Sequence, residues 1–251
     1  MARITAIINQ KGGVGKTTTA AALAGGLTRR GYKALAIDAD AQASLTFIMG
    51  AEAERGIYEA LKGSPAAELV QHTPQGDLLP STPALFGADL EFTQTGREYL
   101  LRDALEGISG LYDHIVIDCP PQLGIMTVNA LTAATDLVIP MRADILSLQG
   151  LGQLYDTISK VKRYCNRGLQ IAGLLITQNR KTALARDLAD VIGEQARQIG
   201  TRLYAAQIRE AVCIREAQTM QESIFDRPKA NPAADYAAFI DEYLRQEDTK
   251  E

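Results

Sequence analysis

Hydrophobic and polar positions along the chain follow two alternating patterns. Short apolar runs rich in β-branched residues predict strands buried on both faces, and they occupy residues 3–9, 33–38, 114–118, 137–140 and 171–177. The stretches between them place apolar residues three or four positions apart, which predicts amphipathic helices. Such alternation indicates an α/β fold, a mostly parallel twisted sheet with helices on both faces.

The helices differ in how clearly the sequence marks them. Residues 16–30 are rich in alanine and end before Gly31, a common helix stop. Two later helices each carry one apolar stripe, formed by Leu148, Leu151, Leu154, Tyr155, Ile158 and Val161 in the first and by Leu184, Leu188, Val191, Ile192 and Ile199 in the second. Residues 50–76 show no clear pattern. We expect a single domain over residues 1–246 and a frayed tail at residues 247–251.

Composition narrows the class of protein. The chain has 251 residues, of which 46% are hydrophobic and 22% charged, a balance typical of a soluble globular protein. Its net charge of −4 means that any contact with nucleic acid must come from a local basic patch. The three cysteines share no CxxC spacing, and neither a signal peptide nor a membrane span is evident, so we expect a cytoplasmic protein.

A glycine-rich loop, KGGVGKTTT at residues 11–19, joins the first predicted strand to the first helix. Its glycines let backbone N–H groups close around phosphate oxygens, and the helix N-terminus adds its positive dipole end. Lys16 is placed to reach the β- and γ-phosphates, the Thr17 hydroxyl to coordinate Mg²⁺, and Thr18 to touch the α-phosphate. The strict phosphate-loop pattern would have glycine where this chain has Gln10. The predicted nucleotide-binding residues here are Lys11, Gly12, Gly13, Val14, Gly15, Lys16, Thr17 and Thr18.

One phosphate loop needs one lysine, so the second lysine needs an explanation. Lys11 is either a solvated surface residue, the usual location of lysine, or a contact to phosphates held by another subunit.

Acidic residues follow two predicted strands. Asp38 and Asp40 end the second strand, and Asp118 ends the run HIVID. Carboxylates at the carboxyl ends of neighbouring strands face a bound nucleotide. One can hold Mg²⁺, usually through a water, and another can orient the water that attacks the γ-phosphate. The alternative is that they only form turns.

These motifs resemble those of the ParA/MinD family of P-loop ATPases. KGGVGKTT is similar to the family's deviant Walker A motif, and YDHIVIDCPPQLG to its Walker B motif and the switch that follows. IDADAQASLT resembles the DxDPQG switch, with Ala41 and Ala43 in place of the usual proline and glycine. The resemblance continues through residues 136–154 and 208–239 and so covers nearly the whole chain.

The resemblance implies a single-domain P-loop NTPase fold and slow, partner-stimulated hydrolysis of ATP with Mg²⁺. It implies that Lys11 reaches across an ATP-sandwiched homodimer, that Asp40 positions the hydrolytic water, and that Asp118 holds Mg²⁺ through a water. It also suggests that Gln178 contacts the adenine base. The implied catalytic residues are Lys11, Lys16 and Asp40.

Within the family, the sequence favours the branch that binds DNA without reading its sequence. The loop begins at Lys11, which leaves no room here for the helix-turn-helix domain of some relatives, so operator binding is not expected. Residues 156–186 are strongly basic, although a solvated helix face would explain this too. In the family's second DNA-contacting region, Glu210 and Cys213 stand where arginines are usual. The candidate DNA contacts are Lys160, Lys162, Arg163, Arg180, Lys181 and Arg215.

The expected function is therefore the partition or positioning of DNA with a ParB-like adaptor, in the cytoplasm and on the nucleoid. A membrane-associated ATPase of the MinD type is one alternative. The last predicted helix has an apolar stripe flanked by acidic residues, which anionic lipid would repel; we expect core packing for it and no membrane partner. Its stripe consists of Tyr236, Phe239, Ile240 and Tyr243. The other alternative is a metabolic P-loop enzyme acting on a small carboxylate.

Overall fold

The computed structural model describes residues 2–180, 182–227 and 231–245. Its strands are β1 (Arg3–Ile7), β2 (Ala34–Asp38), β3 (Gln71–Thr73), β4 (Gly76–Leu79), β5 (His114–Asp118), β6 (Asp136–Met141) and β7 (Gln170–Ile176). Its α-helices are α1 (Lys16–Arg29), α2 (Ser44–Ile48), α3 (Ile57–Leu61), α4 (Ala88–Glu91), α5 (Leu100–Glu106), α6 (Ile125–Ala133), α7 (Ile145–Tyr164), α8 (Ala183–Gln198), α9 (Val212–Thr219) and α10 (Asn231–Leu244). The predicted tail at residues 247–251 lies outside the described residues.

The strands form one sheet in the order β3-β4-β2-β5-β1-β6-β7. Neighbouring strands run parallel except β3 and β4, which are antiparallel. Every residue of β2, β5 and β6 is buried, as expected for strands covered by helices on both faces. The predicted α/β fold with a mostly parallel sheet is confirmed, and the predicted strands all form.

The pair β3–β4 was not predicted from the sequence. β3 has the sequence QHT, with no apolar alternation, and it lies within the segment that showed no clear pattern. As an edge strand it needs no apolar face, because it is held by its antiparallel pairing with β4.

The helices bury their predicted apolar stripes to different extents. The stripe of α10 is fully buried in the core that includes α1, and the stripe of α7 is buried at Leu151, Leu154, Ile158 and Val161. The apolar stripe of α8 is only partly buried: Ile192 is buried, whereas Leu184 and Val191 are exposed. α8 packs mainly against β7, the edge strand, and the sheet covers only part of its apolar face.

Parallel pairing brings the carboxyl ends of β1, β2, β5, β6 and β7 to one edge of the sheet, which we call the carboxyl edge. The residues Asp38 and Asp118 are register partners there, and the loop after β1 opens at the same edge. Within the described parts of the chain, no helix has the length and hydropathy needed to cross a bilayer.

Candidate active site

The loop between β1 and α1 has the backbone of a phosphate-binding turn. Gly13 and Gly15 have φ angles of 71° and 83°, in the left-handed region that favours glycine. The first intrahelical hydrogen bond runs from the Thr19 N–H to the Gly15 carbonyl at 2.9 Å. The N–H groups of residues 16–18 therefore precede the hydrogen-bonded part of α1 and can bind an anion, aided by the helix dipole.

Two polar residues outside the motif hold this loop in place. The Asn9 amide donates to the Pro140 carbonyl at 2.8 Å and accepts from the Lys11 N–H at 3.0 Å. The Thr177 hydroxyl donates to the Val14 carbonyl at 2.7 Å. The loop is thus anchored to the ends of β6 and β7. Sequence reasoning missed both residues, although each is a polar residue that follows a buried strand by one or two positions.

The two lysines of the loop point to different surroundings. Lys16 is buried, and its ammonium donates to the Lys11 carbonyl at 3.3 Å. Burial lowers the pKa of Lys16, and the negative charges of Asp118 and Asp40 oppose that shift. Lys11 lies at the outer rim, where its ammonium is 2.8 Å and 2.9 Å from the two carboxylate oxygens of Asp144.

Asp144 was not identified from the sequence. It is the N-cap of α7, and its Oδ1 accepts from the Ser147 N–H at 2.8 Å. Burial acts to raise its pKa, but the hydrogen bonds from Lys11 and Ser147, together with the charge of Lys11, outweigh that effect and hold the pKa below its usual value. An aspartate directly before a helical pattern is an N-cap signal, yet nothing local in the sequence connects it to Lys11.

The two aspartates after β2 differ in environment. Asp38 is fully buried, and its Oδ2 accepts from both the N–H and the hydroxyl of Thr46 at 2.8 Å. Burial raises the pKa of Asp38 to about 6. Asp40 is half-buried, accepts from the Gln42 N–H at 3.0 Å, and lines an open cleft of about 250 Å³ that also includes Gln122. Asp38 is therefore an anchor of the loop, and Asp40 faces the cleft.

Asp118 is buried, and neither of its carboxylate oxygens has a hydrogen-bond partner at ordinary geometry among the described residues. Burial and the charge of Asp38 raise its pKa well above the usual range, against the opposing effects of Thr17 and Lys16. A buried carboxylate without a partner needs a counter-charge. Its position beside the Thr17 hydroxyl fits a magnesium ion, which prefers oxygen ligands.

The described residues contain no group of three or more His, Cys, Asp and Glu side chains able to hold a metal. The remaining magnesium ligands would therefore be phosphate oxygens and water, which is how Mg²⁺ is usually held at nucleotide sites.

Comparison with known proteins decides the family. A family model for the AAA domain matches residues 2–171. The chromosome-partitioning ATPase Soj of Thermus thermophilus is 37% identical, over 92% of this chain and 91% of its own. The chain belongs to the ParA/Soj family of partition ATPases. A plasmid partition protein of Borrelia burgdorferi bound to AMPPNP has the same fold, with a TM-score of 0.83 and 26% identity, covering 98% of this chain and 100% of that one.

A further solved structure of this ParA/Soj-like fold is described as a cobyrinic acid a,c-diamide synthase of Mycobacterium smegmatis with a bound ATP analogue and magnesium. It has a TM-score of 0.89 and 32% identity, covering 100% of this chain and 97% of that one. The predictions of the family, of an ATPase, and of ATP with Mg²⁺ as its ligands are confirmed. The roles of individual residues stay predictions.

The structure brings the predicted nucleotide residues together at the carboxyl edge. The loop at residues 11–19, Asp40 and Asp118 all lie there. Gln178 adopts a positive φ of 50°, and its side-chain amide donates to the Gly13 carbonyl at 2.5 Å, so this predicted base contact lies against the loop. Gln10 has no positive φ, so the absence of glycine at this position causes no backbone strain.

The predicted DNA contacts do not form one patch. α7 connects the parallel strands β6 and β7 and therefore runs back to the amino ends of the strands, a length of about 30 Å for a helix of this size. The predicted contacts Lys160, Lys162 and Arg163 lie near the end of α7, whereas Arg180 follows β7 at the carboxyl edge. Arg215 is exposed on α9, and Lys181 lies outside the described residues. A basic segment that is continuous in sequence is thus divided between two ends of the molecule.

Proposed function

We propose that this chain is a DNA-partition ATPase that forms an ATP-dependent sandwich dimer and binds duplex DNA without sequence preference. The arrangement of its two lysines is the observation that carries the proposal. Lys16 occupies the interior of the phosphate loop, where one cation suffices, and Lys11 lies at the rim on Asp144. A rim lysine released from that ion pair is available to phosphates held by a second copy.

Exposed apolar side chains around the same rim support the proposal that two copies of the chain contact each other through this face. Ile145 and Leu146, directly after Asp144, are 62% and 66% exposed, and Leu123, in the loop after β5, is 41% exposed. A group of exposed apolar residues beside a polar site is typical of a protein–protein contact. Dimerisation through the mouth of the nucleotide site would bury them.

In this proposal the residues of one site divide the work of hydrolysis. Lys16 and the first-turn N–H groups bind the β- and γ-phosphates. Thr17, and Asp118 through a water, would hold Mg²⁺, which would neutralise charge on the phosphate oxygens. Asp40 accepts a hydrogen bond from the water that attacks the γ-phosphorus in line. The bond to the leaving β-phosphate oxygen breaks, giving ADP and inorganic phosphate. Lys11 of the other copy neutralises phosphate charge and is released when the γ-phosphate leaves.

Dimerisation makes DNA binding depend on ATP. Non-specific binding derives from phosphates neutralised by Lys and Arg, and a protein with a net charge of −4 offers only local patches. Two weak patches held in one dimer bind a single duplex far more tightly than either does alone. We further propose a cytoplasmic, nucleoid-bound location and an adaptor resembling ParB, whose basic segment would suit the acidic surface and accelerate hydrolysis.

The test compares wild type with Asp40→Ala, with ATP, ADP and no nucleotide. Light scattering should show a dimer only with ATP and Mg²⁺, persistent for Asp40→Ala. Gel shifts with a duplex of random sequence should follow the same order, with Asp40→Ala retained on DNA. A monomeric mass for Asp40→Ala with Mg²⁺ and ATP would refute the proposal.

A metabolic ligase remains the second candidate, because of the likeness to the Mycobacterium smegmatis structure described as a diamide synthase. Such an enzyme would use ATP to activate a carboxylate and would need neither Lys11 nor DNA. The variant Lys11→Ala discriminates between the two. If the partition role is correct, Lys11→Ala should remain monomeric with ATP. If the chain is a ligase, Lys11→Ala should keep full ligase activity. A MinD-type role finds no support in α10, whose apolar stripe is buried; ATP-dependent sedimentation with liposomes would favour it.

A further inference from the structure

The segment after β7 is fixed alongside the segment that precedes α9. The Asn179 N–H donates to the Ile208 carbonyl at 2.8 Å, and the Glu210 N–H donates back to the Asn179 carbonyl at 3.2 Å. Residues 179 and 209 form a parallel bridge. This backbone pairing places Glu210 next to Arg180, so the proximity of their side chains is imposed by the fold.

Arg180 pairs with Glu210, and the charges of Arg142, after β6, and Arg215, on α9, also act on that carboxylate. We call Arg142, Arg180 and Arg215 the arginine cluster. The Arg180 Nε lies 2.5 Å from the Glu210 carboxylate. The hydrogen bond from Arg180, and then the charges of Arg180, Arg142 and Arg215, hold the pKa of Glu210 below its usual value. The Arg142 Nε also lies 3.7 Å from Asp144.

The cluster lies beside the nucleotide site. Arg142 directly follows β6, and Arg180 comes two residues after Gln178, whose amide donates to the phosphate loop. The adjacent Arg209 does not belong to the cluster, because Asp235 holds it at 2.7 Å through two hydrogen bonds.

We propose that Glu210 is a built-in competitor for DNA phosphates, which occupies Arg180 and weakens the DNA affinity of the arginine cluster. This inference rests on the proposed function. The side chains of Arg180 and Glu210 are 66% and 37% exposed, and ion pairs so exposed are weak enough to exchange partners. A DNA phosphate can therefore replace Glu210 as the partner of Arg180. The affinity for DNA is then lower than it would be if Arg180 had no carboxylate partner.

Such a competitor has a clear consequence for control by ATP. If each copy binds DNA weakly, only the dimer, which presents two clusters to one duplex, remains bound at moderate salt. Removing Glu210 should therefore strengthen binding of the ATP form and also allow detectable binding by the nucleotide-free protein at low salt.

The test uses Glu210→Gln and the matched control Glu194→Gln. Both remove one negative charge, and the control also frees an arginine, Arg197, from a 2.5 Å surface ion pair on α8. The dissociation constant for a random duplex is measured with ATP over a series of salt concentrations. Glu210→Gln should bind several-fold more tightly, whereas the slope of log K against log salt, which gains about 0.9 for each phosphate contact, should change little because Arg180 contacts a phosphate in both proteins. Glu194→Gln should behave as wild type.

A cycle with Arg180→Gln shows whether Glu210 acts through Arg180. The gain from Glu210→Gln should disappear in the Arg180→Gln background. Equal affinity of Glu210→Gln and wild type, equal gains from Glu210→Gln and Glu194→Gln, or a gain that survives Arg180→Gln, would each overturn this inference while leaving the proposed function intact. If neither wild type nor Glu210→Gln binds DNA with ATP, the DNA role itself is wrong and this inference is lost with it.

Discussion

Replacing Asp144 by asparagine should strengthen ATP-dependent dimerisation, because it releases Lys11 without disturbing α7. The Lys11 ammonium lies 2.8 Å and 2.9 Å from the Asp144 oxygens, and the side chains are 28% and 32% exposed. Asparagine is as good an N-cap as aspartate, so it can keep the 2.8 Å hydrogen bond from the Ser147 N–H. The substitution therefore keeps the cap and removes one charge, and with it the longer ion pair to Arg142 at 3.7 Å.

The size of the effect follows from the geometry of the pair. Two unit charges 2.8 Å apart attract each other by about 6 kcal/mol at an effective dielectric constant of about 20. Desolvation and ordering offset most of this, and measured net values for exposed pairs reach about 1 kcal/mol. In the proposed dimer, each copy would break its own Lys11–Asp144 pair before Lys11 crosses to the other copy. Two broken pairs amount to about 2 kcal/mol, or roughly a 30-fold lower dissociation constant of the dimer.

The assay is sedimentation equilibrium with Mg²⁺ and ATP, in the Asp40→Ala background, which is expected to slow hydrolysis. Asp241→Asn is the matched control, because it also removes one negative charge and breaks an ion pair with Arg30 of 2.6 Å, located at the far end of α1. The control should leave the dissociation constant unchanged. If Asp144→Asn changes it by less than about threefold, or weakens the dimer, Asp144 does not hold Lys11 back and the magnitude argued above is wrong.

Two further predictions concern the loop after β2. Ala43 has a φ of 52° at the position where the family usually has glycine, and this left-handed conformation costs a non-glycine residue about 1 kcal/mol. Ala43→Gly should therefore raise the melting temperature by about 1–2 °C, after the greater freedom of glycine in the unfolded chain is subtracted. A lower melting temperature would show that Ala43 is not strained. Burial raises the pKa of Asp38 from 3.8 to about 6. Between these values the Asp38 carboxyl keeps its proton in the folded protein but has lost it in the unfolded chain. The nucleotide-free protein should therefore lose up to about 3 kcal/mol of stability as the pH rises from about 4 to 6. Urea unfolding across that range should show a smaller loss for Asp38→Asn, and an unchanged loss would count against this assignment.

Much of the site could be predicted because its chemistry is encoded locally. The glycines, Lys16 and Thr17 lie within one short loop, and Asp40 and Asp118 each follow an apolar strand. Parallel pairing then brings these segments to the same edge, as the alternating pattern predicted. The partner of Lys11 could not be predicted in this way, because Asp144 is 133 residues away and its own sequence context indicates only a helix cap.

Continuity in sequence also gave a misleading impression of the basic surface. Lys160 and Arg180 belong to one basic segment, but α7 carries the first to the amino ends of the strands and β7 carries the second back to the carboxyl edge. The edge strand β3 was missed for a related reason, since its polar residues are ordered by pairing with β4 rather than by a buried face.

The carboxyl edge contains two ion pairs of the same kind. Lys11 is paired with Asp144 and Arg180 with Glu210, and each pair joins a cation that the proposed function needs to an acid of the same chain. Arg142 connects them, since it lies 3.7 Å from Asp144 and its charge acts on Glu210. In an isolated subunit both cations are therefore neutralised by carboxylates of the same chain, and neither can bind a phosphate without displacing its carboxylate. In the proposed dimer, Lys11 would exchange Asp144 for the nucleotide phosphates of the second copy, and Arg180 would exchange Glu210 for a phosphate of DNA.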